Sequence, residues 1–169
     1  MGKIVIITPI FPPEQRGPAT YCFELCQKIP SVVITFTKDP TPIKNIKIIS
    51  IPQSGGLFIR QVRLLWQIIN TDCDLIYAQG ADVCGFAAVI AGKLLHKPVV
   101  IKFVGDLSIE LKRDFKKGDL LAKFVELVTF VVLRLADKII FPARHLQDSI
   151  CEKYKIDKNK TNVIYNAVN

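Results

Sequence analysis

The chain has 169 residues, of which 50% are hydrophobic and 22% are charged. This composition excludes a disordered chain and suits a single globular domain with a complete core. The formal net charge is +8 and the isoelectric point is near 9.3. Such a charge favours an anionic partner: a phosphorylated substrate, an anionic membrane or nucleic acid. No basic block interleaved with aromatic residues and no zinc-finger spacing occurs, so we predict no nucleic-acid binding and interpret most lysines as solvated surface residues.

Strands and helices alternate along the sequence. Apolar runs rich in isoleucine and valine predict strands at Lys3–Thr8, Val32–Thr37, Ile46–Ile51, Leu75–Ala78, Val99–Phe103, Lys138–Phe141 and Asn162–Tyr165. Most of these runs are continuous, which is typical of strands buried on both faces of a parallel sheet. Helical segments are predicted between them at Ala19–Ile29, Leu57–Ile69, Ala81–His96, Asp119–Ala136 and Arg144–Tyr154. The order predicts a doubly wound α/β fold, a mostly parallel sheet of about seven strands with helices on both faces.

The loop after the first strand, Phe11–Thr20, occupies the place where open α/β sheets bind ligands. It matches neither the glycine fingerprint of dinucleotide-binding domains nor the P-loop pattern, so a nicotinamide site is disfavoured. Gly17 permits close backbone approach, and the helix that follows presents free N–H groups to anions. A stiff proline-rich connector explains the same residues, because proline fixes φ and glycine turns the chain.

The residues that usually form metal or nucleophile sites are scattered. There is no C-x-x-C pair, and the cysteines and histidines are Cys22, Cys26, Cys73, Cys84, Cys151, His96 and His145. The cysteines are therefore predicted to be buried structural thiols. We predict no metal, no cofactor and no Ser-His-Asp or Cys-His arrangement.

Nothing at the amino terminus resembles a signal peptide, and we expect a cytoplasmic location. The longest apolar segment, Leu120–Ala136, contains Lys123, Glu126 and Arg134. It is too short and too charged to span a bilayer, which needs about 20 apolar residues. A helix that is apolar most of the way round is instead buried or packs against another surface. The charged segment before it, Lys112–Gly118, is the best candidate for a mobile segment.

Three segments carry a family resemblance. The first is the opening turn, Thr8–Tyr21, which reads TPIFPPEQRGPATY. The second comprises Asp74–Gly80 and Lys97–Asp106, and the third comprises Ala136–Arg144 and Val163–Asn169. In this order and spacing they resemble the amino-terminal half of the GT-B glycosyltransferases, in particular the family 4 (group 1) enzymes. The resemblance covers essentially the whole chain.

The resemblance implies that residues 1–169 are one Rossmann-like, acceptor-side domain. In GT-B enzymes a second domain binds the nucleotide-sugar donor, and the chemistry takes place in the cleft between the two. The E-x7-E donor motif of the family does not occur here. We therefore expect the donor-binding domain to be absent from this chain, and we expect the chain alone to be inactive.

The resemblance also suggests catalytic residues. Many family members have a histidine after the fifth strand, whereas this chain has Val104-Gly105-Asp106. A subset that acts on saccharide polymers and lipopolysaccharide uses V-G-D followed by an acidic residue four positions later. Asp106 and Glu110 match that pattern. A carboxylate there would orient an acceptor hydroxyl or accept its proton, and Glu110 would bind sugar hydroxyls. Asp106 is equally interpretable as a helix cap or turn residue.

Further positions are predicted to bind substrate at the rim of the cleft. They are Glu14, Arg16, Gly17, Pro18, Gln79, Gly80, Gly105, Arg144 and Asn166. Many relatives have Gly-Gly in the first loop where this chain has Arg16-Gly17-Pro18. Gln79-Gly80 is also explained as a turn, and Arg144 as an ordinary exposed arginine.

The function that the resemblance implies is transfer of a sugar from a nucleotide-sugar to a saccharide or lipid-linked acceptor, with retention. The pathway expected is cell-envelope polysaccharide or lipopolysaccharide synthesis. An anionic membrane surface is a further expected partner, contacted through Lys112–Lys123 and the apolar helix. The alternative is a non-catalytic Rossmann-like module that binds a nucleotide or a partner protein.

Overall fold

The computed structural model describes residues 2–105 and 119–166. The strands are β1 Ile4–Thr8, β2 Ser31–Thr35, β3 Lys47–Ser50, β4 Leu75–Gln79, β5 Val99–Lys102, β6 Lys138–Phe141 and β7 Thr161–Val163. The helices are α1 Gly17–Lys28, α2 Gly56–Ile69, α3 Gly85–Leu95, α4 Asp119–Leu135 and α5 Arg144–Tyr154. A short 3₁₀ helix, Lys158–Lys160, precedes β7.

The strands form one sheet in the order β3-β2-β1-β4-β5-β6-β7. Every pairing is parallel, and Ile6 of β1 lies between Val33 of β2 and Tyr77 of β4. The fold prediction is thus confirmed, and the sheet is parallel throughout. The chain winds outward from β1 in one direction and then returns to β4 to wind in the other. The carboxyl ends of β1 and β4 therefore form the topological switch point, where folds of this class bind ligands.

The two faces of the sheet are covered unequally. The larger core cluster joins residues of α2, α3, α4 and α5 to alternate strand residues such as Val5 and Ile7. The smaller cluster joins Cys22 and Cys26 of α1 to Ile6 and other residues of the opposite face. The right-handed crossover rule explains this division. The connection from β1 to β2 runs in one direction across the sheet, so its helix lies on one face; the crossovers from β3 to β4 and onward run in the other direction, so their helices lie on the other face.

Most element boundaries differ from prediction by at least one residue, and three of these differences have a local reason. β2 ends at Thr35 because the Thr37 N–H donates to the Thr35 hydroxyl, at 3.2 Å, instead of to a neighbouring strand. α3 begins at Gly85 rather than Ala81, since the Asp82 carboxylate accepts the Val83 N–H in the turn that precedes the helix. α1 begins early, at Gly17, because proline suits the first helical turn.

One surface exposes many large apolar side chains. We call it the apolar face: it consists of the exposed residues Leu57, Phe58, Val62, Trp66 and Ile69 of α2, Phe86 and Leu94 of α3, and Leu120, Leu121, Phe124 and Leu127 of α4. The three helices are neighbours, since α3 contacts both α2 and α4. Within the described residues, no helix has the length and apolar character needed to cross a bilayer.

Candidate functional site

Buried polar side chains gather at the carboxyl edge of the sheet. Thr8 ends β1, Thr35 ends β2, Gln79 ends β4 and Lys102 ends β5, and each is at most 1% exposed. Thr37, just beyond β2, is 4% exposed. Parallel strands bring these ends to one edge. Burying a polar group is costly unless it is hydrogen-bonded, so the partners of these groups decide what the edge does.

At the switch point Thr8 and Gln79 are in direct contact. The Thr8 hydroxyl lies 2.9 Å from Gln79 Oε1 and 2.7 Å from the Ile10 carbonyl oxygen, and it can donate its one hydrogen to either. The Cys22 thiol also donates to Gln79 Oε1, at 2.9 Å. Within residues 2–105 and 119–166, nothing accepts a hydrogen bond from Gln79 Nε2, although that atom is buried. The amide group is therefore fixed at its oxygen and free at its nitrogen.

Next to this amide lies a buried lysine. Lys102 is 1% exposed, and its Nζ donates to Asn166 Oδ1 at 2.6 Å. Its Nζ also lies 3.1 Å from the ring centroid of Tyr21, a cation–π contact. Burial lowers the pKa of Lys102 to about 8, an effect that Cys22 partly opposes. No carboxylate in the described part of the chain pairs with this lysine.

These groups surround a small pocket of about 90 Å³. Its lining consists of Gly17, Pro18, Tyr21, Gln79, Lys102, Val104, Pro142 and Asn166. A water molecule occupies about 30 Å³ of liquid, so the pocket holds a few waters or one small polar group. A whole nucleotide or a disaccharide does not fit in it.

The opening loop is fastened to the end of β2 through Thr37. The Phe11 N–H donates to the Thr37 hydroxyl, and that hydroxyl donates to the Glu14 carboxylate, both at 2.8 Å. The Phe11 ring is fully buried and lies 6.0 Å from the ring of Phe23. Glu14, which was predicted to bind substrate, therefore also anchors the loop that leads into α1.

The pocket brings together four of the predicted site residues, Gly17, Pro18, Gln79 and Asn166. The other five described positions are outside its lining: Glu14, Arg16, Gly80, Gly105 and Arg144. Arg16 is exposed at the N-cap of α1, and Arg144 is exposed at the start of α5. Gly80 has φ +93°, a conformation that favours glycine, and its N–H donates to the Lys102 carbonyl oxygen at 2.9 Å. Asp106, Glu110 and the segment Lys112–Gly118 lie outside the described residues.

Four pocket residues are additions to the sequence-based prediction: Tyr21, Lys102, Val104 and Pro142. The sequence signal for Lys102 is weak, because a lysine at the carboxyl end of an apolar run such as Val99–Phe103 is normally a surface residue. Tyr21 gave no such signal, since a tyrosine in the first turns of a helix is ordinary.

The thiols do not contribute reactive groups to this edge. All five cysteines are buried and free, which confirms their prediction as structural residues. Burial raises the pKa of the Cys22 thiol to about 12, so it is protonated at neutral pH and is not a nucleophile. Among the described residues, no group of three histidine, cysteine or acidic side chains could hold a metal ion.

Some solved structures with the same fold were determined with UDP or UDP-glucose bound. HepE of Anabaena, solved with UDP-glucose, matches with a TM-score of 0.70 at 16% identity, over 100% of this chain and 45% of HepE. MnaA of S. aureus, solved with UDP, matches with a TM-score of 0.65 at 16% identity, over 96% of this chain and 44% of that one. The UDP-GlcNAc 2-epimerase of Methanocaldococcus jannaschii gives a TM-score of 0.59 at 13% identity, over 96% and 45%. The chain thus spans less than half the length of these proteins.

At such identities the structural matches establish the fold alone. No curated protein matches the sequence significantly. The sequence itself matches the model of the family described as Glycosyltransferase Family 4 over residues 15–169. That range includes nearly the whole chain, from the loop before α1 to the last residue, and it confirms the resemblance seen in the three sequence segments. The chain belongs to glycosyltransferase family 4.

Proposed function

We propose that this chain is the acceptor-binding half of a glycosyltransferase that moves a sugar from a nucleotide-sugar to a saccharide or lipid-linked acceptor. The observation that carries the proposal is the pocket at the switch point of a family 4 fold, lined by the buried amide of Gln79 and the ammonium of Lys102. The UDP and UDP-glucose in the structures of MnaA and HepE support a nucleotide-sugar as the donor. A second domain would supply the main donor site.

Within this proposal the described residues bind and orient substrate. The amides of Gln79 and Asn166 provide donors and acceptors suited to sugar hydroxyls, and Lys102 provides a positive charge beside them. Asp106 and Glu110 follow β5 in the sequence. We assign to Asp106 orientation of the acceptor hydroxyl or acceptance of its proton, and to Glu110 hydrogen bonding to sugar hydroxyls. Retention of configuration at the transferred carbon is proposed from the family resemblance.

The experiment is a transfer assay with radiolabelled UDP-glucose and a panel of saccharide and lipid-linked acceptors. The chain alone is expected to show no turnover, and NMR is expected to show weak acceptor binding with shift changes at Gln79 and Asn166. The natural sequence after Asn169 is a second test, because a further α/β region with two glutamates eight positions apart supports the transferase. Transfer at an ordinary enzyme rate by the chain alone contradicts the division into halves.

The alternative is a non-catalytic module that binds a nucleotide or a partner protein. The observation in its favour is the apolar face, which exposes Phe58 and Trp66 by 79% and 67%. Exposed patches of this kind mark interaction surfaces. Binding of UDP-glucose by the chain with no acceptor binding at all, and no second α/β region after Asn169, supports the module over the transferase.

We further propose that the apolar face docks on an anionic membrane, where lipid-linked acceptors reside, which places the protein on the inner face of the plasma membrane. Helices α2 and α3 contain Arg60, Arg63 and Lys93 and no acidic residue. Basic residues beside exposed aromatic and aliphatic side chains are the pattern of interfacial helices. On α4, Lys123 is exposed beside Phe124 and belongs to the contact predicted from the sequence.

Membrane docking is testable with the chain's own fluorescence, because Trp66 is its single tryptophan and belongs to the apolar face. Vesicles containing phosphatidylglycerol are expected to shift its emission to the blue at low salt, whereas neutral phosphatidylcholine vesicles are not. Phe58→Ser is expected to weaken the shift, and Lys28→Ser, on the opposite side of the sheet, is the matched control. No shift and no co-sedimentation with anionic vesicles contradict docking. A concentration-dependent shift without vesicles assigns the face to a second copy of the chain instead.

A further inference from the structure

The position of Lys102 is energetically unusual. Taking an ammonium group out of water costs several kcal/mol unless other groups compensate for it. An ammonium has three N–H donors, and the described residues offer it one oxygen, Asn166 Oδ1, and the face of the Tyr21 ring. Neither group is a carboxylate. The lysine is therefore solvated incompletely by the protein itself.

The other groups around the pocket are also suited to a negative charge. Gln79 Nε2 is buried, borders the same pocket and has no acceptor within the described ranges. Gly17 and Pro18 place the first turn of α1 at the pocket, and that turn contains no acidic residue. The positive end of the helix dipole attracts anions, and Gly17 and Ala19 supply backbone N–H groups in this turn, whereas Pro18 has none. No acidic side chain is among the residues that line the pocket.

We infer that Lys102, Gln79 and the first turn of α1 form a binding site for one phosphate or carboxylate group of a substrate. The volume of about 90 Å³ suits a single such group and no more of the molecule that bears it. An anion there would complete the hydrogen bonding of Lys102 and Gln79 together. The description of the molecule as a substrate rests on the proposed function, whereas anion binding itself does not.

The anionic group has two possible sources in a sugar transfer. It belongs either to the diphosphate of the donor or to an acidic sugar or phosphate on the acceptor. The pocket recognises the chemistry that they share, and separate ligands distinguish them. A donor site is expected to bind UDP and UDP-glucose more tightly than inorganic phosphate. An acceptor site is expected to prefer glucose 6-phosphate or glucuronate and to bind UDP no better than phosphate.

The test is titration of the chain with inorganic phosphate, followed by those four ligands, by calorimetry and NMR. Lys102→Met is expected to weaken phosphate binding about 10- to 100-fold, since hydrogen bonds to charged groups are worth about 1.5–3 kcal/mol. Asn166→Asp keeps the lysine and is nearly isosteric, but it places a carboxylate 2.6 Å from Nζ, and it is expected to abolish binding. Lys47→Met, at the exposed start of β3, is the matched control and is expected to bind as the wild type does.

Saturable phosphate binding that both pocket variants lose and Lys47→Met keeps supports the inference. Absence of saturable binding overturns it, as does equal weakening in all three variants, which indicates attraction by net charge only. Circular dichroism shows whether each variant is folded. If Lys102→Met is not folded, Asn166→Asp alone tests the inference. Phosphate binding without sugar transfer by any form of the enzyme removes the proposed function and leaves the anion site. Sugar transfer without phosphate binding supports the proposed function and overturns the anion site.

Discussion

The two edges of the sheet use polar residues in opposite ways. At the amino edge, exposed carboxylates accept backbone N–H groups: Asp74 accepts from Lys3 and Asp137 accepts from Val99, both at 2.8 Å. Asp74 also lies 3.7 Å from Lys97 Nζ. At the carboxyl edge, Gln79 and Lys102 are buried, and each retains hydrogen-bonding capacity that the described residues do not use. Both edges are polar, but Asp74 and Asp137 of the amino edge have partners in the protein, whereas Gln79 Nε2 of the carboxyl edge has none among the described residues.

This difference distinguishes residues that stabilise the fold from residues whose unused hydrogen-bonding groups are suited to a ligand. A satisfied polar group contributes to stability, whereas a buried group without a partner costs stability and is kept for another reason. Substitutions at the amino edge are therefore expected to change stability and leave ligand binding alone. Substitutions at the carboxyl edge are expected to change binding without a loss of stability. Three variants test this contrast, from the largest effect on stability to the smallest.

The largest effect is expected from Gly92→Ala, near the amino edge. A Cβ at this position would clash with the Val99 side chain and lie 3.0 Å from the Lys97 carbonyl oxygen. Overpacking of this kind costs about 3 kcal/mol of unfolding free energy, measured by urea denaturation. Phosphate binding of the folded fraction should be unchanged. Gly17→Ala is the control, because a Cβ there meets nothing within 4 Å, and a similar loss in both variants would contradict the steric explanation.

Lys102→Met is expected to have an intermediate effect, and it should raise the free energy of unfolding where Gly92→Ala lowers it. The folded-state pKa of about 8 lies below the usual lysine value near 10.4, so the unfolded chain binds more protons between these pH values. Burial of the charged lysine therefore costs stability below about pH 8, and that cost disappears as the pH rises toward 10. Lys102→Met should be more stable than the wild type by about 1–2 kcal/mol at pH 7, with the difference shrinking above pH 8.

Urea denaturation of both proteins from pH 6 to pH 10 measures this difference. The titratable groups beside Lys102 among the described residues are Tyr21 and Cys22, and both are retained in the variant. Lys47→Met serves again as the control and should show no such pH dependence. A variant less stable than the wild type at pH 7 would mean that Asn166 and Tyr21 fully compensate for the buried charge.

The smallest effect is expected from Asp74→Asn. The hydrogen bond from the Lys3 backbone N–H lowers the pKa of Asp74, helped by Lys97. A lowered carboxyl pKa contributes stability above the unfolded value near 3.9, and that contribution is lost as the pH falls through the folded value. The melting temperature of the variant should be slightly below that of the wild type at pH 7 and equal to it at pH 2. Asp39→Asn, at an exposed position, should have the same melting temperature as the wild type.

The architecture could be predicted from the sequence because a parallel sheet buried on both faces leaves a strong pattern. The seven strands and five α-helices of the described residues follow from apolar runs and their spacing, as the match at Lys138–Phe141 illustrates. Boundaries were harder where side chains compete with the backbone. Thr35 and Asp82 each accept a backbone N–H, which ends β2 early and delays α3. Such local competition leaves little trace in hydrophobic periodicity.

The site could be predicted less completely. The loop, Gln79 and Asn166 follow from the family segments, but the pairing of Gln79 with Thr8 depends on the strand order, which places β4 beside β1. Lys102 was overlooked because lysine near a strand end is normally a surface residue. Its burial follows from the central position of β5 and from Tyr21 above it, which are properties of the assembled sheet.

The hydrogen bond between Lys102 and Asn166 also indicates at which stage of folding the pocket forms. Gly17 lies near the start of the sequence and Asn166 near its end, and both line the pocket. Contacts between residues distant in sequence cost loop-closure entropy, so this pocket forms only when the elements from α1 to the residues after β7 have been brought together. A nascent or partly unfolded chain would have no anion site. Phosphate affinity is thus a measure of complete folding, and ligand binding would protect the chain against opening at either end.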